Sequence, residues 1–422
     1  MSTRPTFEPI HFADYLESTG NYRVAMDQLV SWSGTHWVPM TNREAERLAL
    51  EWIVSGANGV ANSTNAKQAC ATAILSLPFL KDPVRQAIVP VLNGYVHVDR
   101  SGVTLKPHDK ELGLRHVIQC EHNPTAPMPG RFAAFLERVL PDLAVRERVQ
   151  EYIGYTLLPD APHQIAQFWL GNGANGKGVL ANIVQALHQR VAAVNLDNLD
   201  GFSMTEVVNA SLIYCDEAPQ QRINDRTFKM VTAGETVTIQ RKYRDPISTR
   251  ILGKWLILGN QLPEITDHSE GFWRRMDIVP FEVTIPPAER DPMLARHIIE
   301  HELGGVLNWA LEGAVRLLAR GCFEPTKPAA MCKALEVAKT ESNTVKNWWE
   351  DAELTTKNTT DTLKMDVYRA YANWCKANGH SSVVPMPKFW KRLTSTVKGV
   401  IETRMVTTGG RPRVCNIALQ PV

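Results

Sequence analysis

From Thr41 to Gly56, the apolar residues of TNREAERLALEWIVSG return every three or four positions, and Thr41 stands three residues ahead of Glu44. That spacing predicts a helix with a capped start and a glycine stop. The period shortens from Val91 to Leu105, where VLNGYVHVDRSGVTL reads as short strands around glycine-bearing turns. RFAAFLERVLPD and VRERVQEYIGYTLLPD return to helical spacing, each closed by a Pro-Asp pair. Between Ile165 and about Phe281, strand-like and helix-like stretches alternate, which predicts a mostly parallel sheet with covering helices. A further helix, HELGGVLNWALEGAVRLLARG, follows, and near Asp351 the polar DAELTTKNTTDT predicts the beginning of a linker. The remainder predicts a helix (KMDVYRAYANWCKANG), a second helix (MPKFWKRLTSTVKG) and a hairpin, IETRMVTTGGRPRVCNIAL, turning at Gly409-Gly410.

At 422 residues the chain exceeds one ordinary core, so two or three domains are expected. With 46 Lys+Arg against 44 Asp+Glu, net charge favours no particular partner. Its distribution says more: from Asp351 onward there are 11 basic and 5 acidic residues, which suits a polyanion and equally a solvated tail. The second helix and hairpin contribute Lys388, Lys391, Arg392, Arg411 and Arg413, while Tyr368, Tyr371 and Trp374 at three-residue spacing read as packing. Seven scattered cysteines without a C-x-x-C pair suit a reducing compartment. His116, Cys120 and His122 cluster in HVIQCEH but lack a fourth ligand at finger-like spacing, and read as strand and loop residues. No apolar run is long enough to span a bilayer and the start is not a leader, which predicts a cytoplasmic protein.

The densest chemistry lies in QFWLGNGANGKGVLANIV, where Gly171, Gly176 and Lys177 fit G-x-x-x-x-G-K. A strand-like run precedes the motif and a helix-like run follows, so backbone N–H groups and a helix N-terminus converge where phosphate oxygens would sit. The candidate loop is Gly171, Asn172, Gly173, Ala174, Asn175, Gly176, Lys177, Gly178 and Val179. Gly178 departs from the pattern, because a Ser or Thr hydroxyl there normally binds Mg²⁺. The metal would then depend more on a carboxylate elsewhere.

ASLIYCDEAP supplies one: an apolar strand ending in Asp216 and Glu217, at the edge where open α/β sheets bind ligands. Asp216 would hold Mg²⁺ through water, and Glu217 would polarise the attacking water. KWLILGN ends in Asn260, an amide able to contact the γ-phosphate or that water. GFWRRMDIVPF presents Arg274 and Arg275, a pair suited to stabilising phosphoryl charge across a subunit interface and otherwise a solvated edge.

These features, in this order within about a hundred residues, resemble superfamily III helicases of the AAA+ ATPases. The likeness is to the helicase part of the phage and plasmid primase-helicases, a group that includes the poxvirus primase-helicase. LNGYVHVDRSGVTLKPHDKELGLRHVIQCEHNPTAPMPGRFAAFLERVL resembles that group's preamble, and FKMVTAGETVTIQRKYRDP, LILGNQLPEI and FWRRMDIVPFEV follow in matching order. The resemblance implies a multidomain α/β chain: an N-terminal α+β collar-type domain (1–130), an AAA+ P-loop core with a preceding helical bundle (131–340) and a C-terminal winged helix (341–422). Lys177 becomes the phosphate lysine, Asp216 and Glu217 the metal and water-activating pair, Asn260 the first sensor, and Arg274 or Arg275 a finger acting on the neighbouring subunit. TIQRKYRDP falls where that superfamily places a channel hairpin, making Lys242 the chief DNA contact with Arg241, Tyr243 and Arg244 beside it. The implied cofactors are ATP and Mg²⁺, and the implied partners are DNA, further copies in a ring of about six, and a separate primase, since 130 residues leave no room for a priming domain.

Two further readings stand beside it. An initiator would bind origin DNA through the winged helix, with nucleotide controlling assembly. A small-molecule P-loop kinase would leave the basic hairpin, the arginine pair and the C-terminal segment without a role.

Overall fold

The computed structural model describes residues 7–419 apart from 57, 128, 197–203, 209, 219–222, 242–243, 264, 266, 380–382 and 407–410. The N-terminal part opens with the helix Pro9–Thr19 and an antiparallel sheet of Tyr22–Ala25, Gln28–Trp32 and Trp37–Pro39. The helix Asn42–Ser55 begins at the expected capping box, Thr41 and Glu44 each bonding the other's backbone N–H, and ends at Gly56. The helix Ser63–Ser76 packs beside it, and the expected short strands follow as Ile88–Val91, Gly94–Val98 and Val103–Lys106.

The centre of the chain is a five-stranded sheet in the order Met276–Pro280, Ala166–Leu170, Lys254–Gly259, Leu212–Cys215, Val191–Ala193, with every adjacent pair parallel. Almost every residue of the three inner strands is buried, because both faces are covered. Trp169, Tyr214, Leu256 and Val279 enter one core and Phe168, Ile213, Ile257 and Ile278 the other, the alternation a pleated strand requires.

The helices Leu143–Thr156 and Leu303–Arg320 cover the first face and touch backbone to backbone. A Cβ on Gly154 would lie 2.3 Å from the Ala310 carbonyl oxygen, and one on Gly313 would lie 2.4 Å from that of Gln150. Arg148 on the first of these helices reaches the outer strand and donates to Asp277 through Nε at 2.5 Å and Nη2 at 3.0 Å. Both side chains are almost wholly buried, and Lys327 completes the carboxylate's coordination at 2.9 Å. Removing one partner from such a buried pair typically costs about 3–5 kcal/mol.

The C-terminal part packs the helices Thr344–Asp351, Lys364–Ala377 and Met386–Thr396 around one core, with Tyr371 stacked on Phe389 at 4.7 Å against Trp348. Tyr368 and Trp374 pack against the same core, so the aromatic spacing serves packing as expected. The polar run from Asp351 is no free linker. Thr355–Thr356 pairs with Ile417–Ala418, and Thr362–Leu363 joins Arg413–Cys415 and Glu402–Arg404 in a three-stranded sheet. Threonine is β-branched and suits a half-exposed strand, which polarity alone does not reveal. The expected turn at Gly409-Gly410 lies outside the described residues.

Candidate nucleotide site

The loop after Ala166–Leu170 runs directly into the helix Lys177–Ala186, as its spacing requires. Two glycines are obligatory there. A Cβ on Gly171 would come within 2.3 Å of both the Asn175 amide nitrogen and the Phe281 carbonyl oxygen. Gly176 has φ +85°, and its Cβ would lie 2.6 Å from Val139 and 2.9 Å from Phe135, so the loop rests on the helix Gly130–Val139. Gly173 and Ala174 also adopt positive φ, while buried Asn175 donates to Phe281 O at 3.1 Å and pins the loop to the outer strand. Asn172 and Gly178 are exposed and Val179 is half-buried.

Lys177, first residue of the helix, directs its ammonium to Gly171 O and to Asn260 Oδ1, the latter at 2.9 Å. Asn260 follows the neighbouring strand, and Asp216 and Glu217 follow the strand beyond it, so the parallel sheet brings all four residues to one edge. Burial lowers the Lys177 pKa from its usual value, and the nearby charges of Asp216 and Glu217 oppose that shift. Asp216 and Glu217 are exposed, and Tyr214 OH donates to Asp216 Oδ1 at 2.6 Å. A cleft of about 880 Å³ adjoins the loop, between Asn172, Asn260 and Thr284 on one side and Lys333, Val337 and Glu341 of the helix Ala329–Glu341 on the other. That space suits a nucleotide.

The residues present fit a hydrated Mg²⁺: the Asp216 carboxylate is exposed close enough for its charge to act on Lys177, and nothing stands within 4 Å of a Cβ placed on Gly178. Among the described residues, no group of three or more His, Cys, Asp or Glu forms a further metal cluster.

Arg274 and Arg275 lie at the opposite edge. Arg275 O accepts from Ala166 N at 2.8 Å at the start of the loop strand, and five residues at ~3.3 Å each separate that edge from the loop. The pair is not equivalent. Arg274 is exposed and bonds Gln164 Oε1 at 2.9 Å; Arg275 is buried, bonding Gly271 O and the same glutamine at 3.2 Å. Thr236–Arg241 and Arg244–Arg250 form an antiparallel hairpin leading into the start of Lys254–Gly259, with Val237 and Ile239 buried at its base. The backbones of Arg241 and Arg244 pair beside the tip; Lys242 and Tyr243 lie outside the described residues. Lys388, Lys391 and Arg392 line a cleft of about 1020 Å³ facing Asp225, Arg226 and Asp267 of the central part.

Tyr214 and Gln164 escaped the sequence reading. Tyr214 reads as one more apolar strand residue, and Gln164 meets its arginines only after 110 residues of folding.

Residues 169–275 match the model of a family of unknown function, DUF5906. Putative helicase 022R of Frog virus 3 is 23% identical over 287 residues, covering 61% of this chain and 29% of that protein. Putative helicase 184R of Invertebrate iridescent virus 6 is 22% identical over 321 residues, covering 65% and 32%. The chain thus spans less than a third of the length of these viral relatives. Among solved structures, the apo C-terminal region of NrS-1 superposes with a TM-score of 0.53 at 12% identity, over 98% of this chain and 100% of that one, which shows a shared fold. No helix among the described residues is long and apolar enough to cross a membrane.

Proposed function

We propose that the chain is an ATP-driven DNA helicase subunit of the superfamily III type, working in a ring of about six copies in phage, prophage or plasmid replication. The observation that carries this reading is the division of labour across the sheet. Lys177, Asp216, Glu217 and Asn260 gather at one edge, and the hairpin with Arg274 occupies the other. An arginine a strand's length from its own loop has no part in hydrolysis there, whereas a neighbouring copy would bring it to a phosphate. The viral relatives carrying helicase names support a helicase-like chain.

In this reading, 1–130 is a collar-type domain, 131–340 the AAA+ core with its helical bundle, and 341–422 a winged helix. Phosphate oxygens compete with Asn260 and Gly171 for the Lys177 ammonium. Glu217 takes a proton from the attacking water as the γ-phosphoryl passes to it, yielding ADP and phosphate. Asp216 would hold a Mg²⁺ through water, and the ion would supply neutralisation of the phosphate charge. Asn260 senses the terminal phosphate and passes its presence to the strand Lys254–Gly259, whose start continues from the hairpin. Lys242, with Arg241, Tyr243 and Arg244, grips the strand in the channel, and a separate primase supplies primers. The initiator reading has less support, because Lys388, Lys391 and Arg392 face the central part.

The test is ATP hydrolysis with and without single-stranded DNA. Stimulation by DNA that Lys242→Ala removes, with basal hydrolysis retained, is expected. DNA stimulation unchanged in Lys242→Ala would overturn the channel grip.

A further inference from the structure

Beneath the hairpin, away from the nucleotide loop, is a second cavity of about 310 Å³. Its walls come from segments far apart in the chain: Arg85 and Arg115 from the N-terminal part, and Arg250 from the end of the hairpin. Thr156, Ser211, Ser248 and Thr249 add four hydroxyls. Asp82 is the single carboxylate among the described lining residues; its side chain is fully exposed and stands 3.9 Å from Arg115. Three guanidinium groups thus line the cavity beside this outward-turned acid, and Arg250 also donates to Gly234 O at 2.6 Å and stands 3.8 Å from Asp160.

Buried basic residues stand behind the wall. His188 backs the cavity wall, bonding the Ser211 hydroxyl at 2.9 Å and the Thr156 hydroxyl at 3.2 Å. Lys254 is buried against Leu158, another wall residue, and donates to its carbonyl oxygen. Burial, chiefly, holds Lys254 down to about 7 and both His116 and His188 to about 3, with neighbouring bases adding to the histidine shifts. Both imidazoles are therefore neutral at pH 7, and the positive charge at the cavity is that of its arginines.

We propose that this cavity binds a small phosphorylated molecule, its phosphate held by Arg85, Arg115 and Arg250. The planar guanidinium pairs with phosphate oxygens, and the Ser248 and Thr249 hydroxyls add donors, since Thr156 and Ser211 already donate to Ile153 O and Arg190 O. A space of about 310 Å³ accepts a molecule of about mononucleotide size, whose apolar body meets Pro83, Leu158 and Leu252. Because Thr249 and Arg250 end the hairpin strand, the ligand ties the hairpin to the N-terminal part.

The test is calorimetric titration of inorganic pyrophosphate into the full chain carrying Lys177→Ala, which disables the nucleotide loop and makes the outcome independent of ATP hydrolysis. Saturable binding is expected there, weakened about ten-fold or more by adding Arg85→Gln, the loss of one charge-assisted contact. Arg85 is exposed, so that variant folds, and an unchanged melting temperature checks it. Absence of saturable binding in Lys177→Ala, or equal affinity with and without Arg85→Gln, overturns the proposal.

Discussion

Lys177 Nζ donates a 2.9 Å hydrogen bond to Asn260 Oδ1, joining the start of the helix after one strand to the tip of the adjacent parallel strand, 83 positions away. In the proposed reading, this contact puts the Asn260 amide where a terminal phosphate would meet the ammonium. Asn260→Ala is expected to lower kcat for ATP hydrolysis by about a hundred-fold, the scale of removing one preorganised polar group from a reaction centre. Affinity for ATP should change far less. Steady-state hydrolysis beside equilibrium nucleotide binding separates the two.

Three of the loop's four glycines, Gly171, Gly176 and Gly178, should respond differently. Gly171→Ala and Gly176→Ala place a methyl within 2.6 Å of fixed atoms, and both should abolish nucleotide binding. Gly178 has open space around its Cβ position, so Gly178→Ala should stabilise the chain by about 0.5–1 kcal/mol through helix propensity. Gly178→Thr should also lower the Mg²⁺ concentration for half-maximal hydrolysis. Urea unfolding and Mg²⁺ titration of activity check these outcomes.

If Arg274 acts on a neighbour's nucleotide, Lys177→Ala and Arg274→Ala subunits are each inactive alone but recover hydrolysis when mixed, since some interfaces pair an intact loop with an intact arginine. Arg275→Ala should instead unfold at lower temperature, because that side chain is buried against Gly271 and Gln164. Activity across a mixing series, with a melting curve for each variant, tests both statements.

Burial, then the charges of His116 and Lys254, hold the His188 imidazole to about 3 in the folded chain against 6.5 when unfolded. Between those values the unfolded chain binds more protons, so this contribution is complete above about 6.5 and is lost as pH falls toward 3. From pH 7 to 5 the single group accounts for about 2 kcal/mol. His188→Gln should therefore lose less stability than the wild type over that interval, read by urea unfolding at the two pH values.

Much of the geometry of the candidate nucleotide edge was legible in the sequence because its signals are local. Glycine spacing, the helix start at Lys177 and strands ending in Asp216 and Asn260 are written in contiguous residues. What stayed hidden depends on pairing at a distance. The difference between Arg274 and Arg275 comes from which side chain turns inward beside Gln164, and the orientation of Asp216 comes from Tyr214, which the pattern marks only as core. The threonines after Asp351 looked like a linker because polarity masks an edge strand whose partners lie some 55 residues on. The 310 Å³ cavity was invisible for the same reason, its three arginines being brought together only by the fold.

The most direct test is ATP-dependent displacement of a labelled strand from a forked DNA duplex, with wild type beside Lys177→Ala. Displacement by the wild type alone, requiring ATP and Mg²⁺, is the expected result. ATP hydrolysis by the wild type with no displacement would contradict the helicase reading, and equal displacement by Lys177→Ala would contradict the assignment of the loop as its motor.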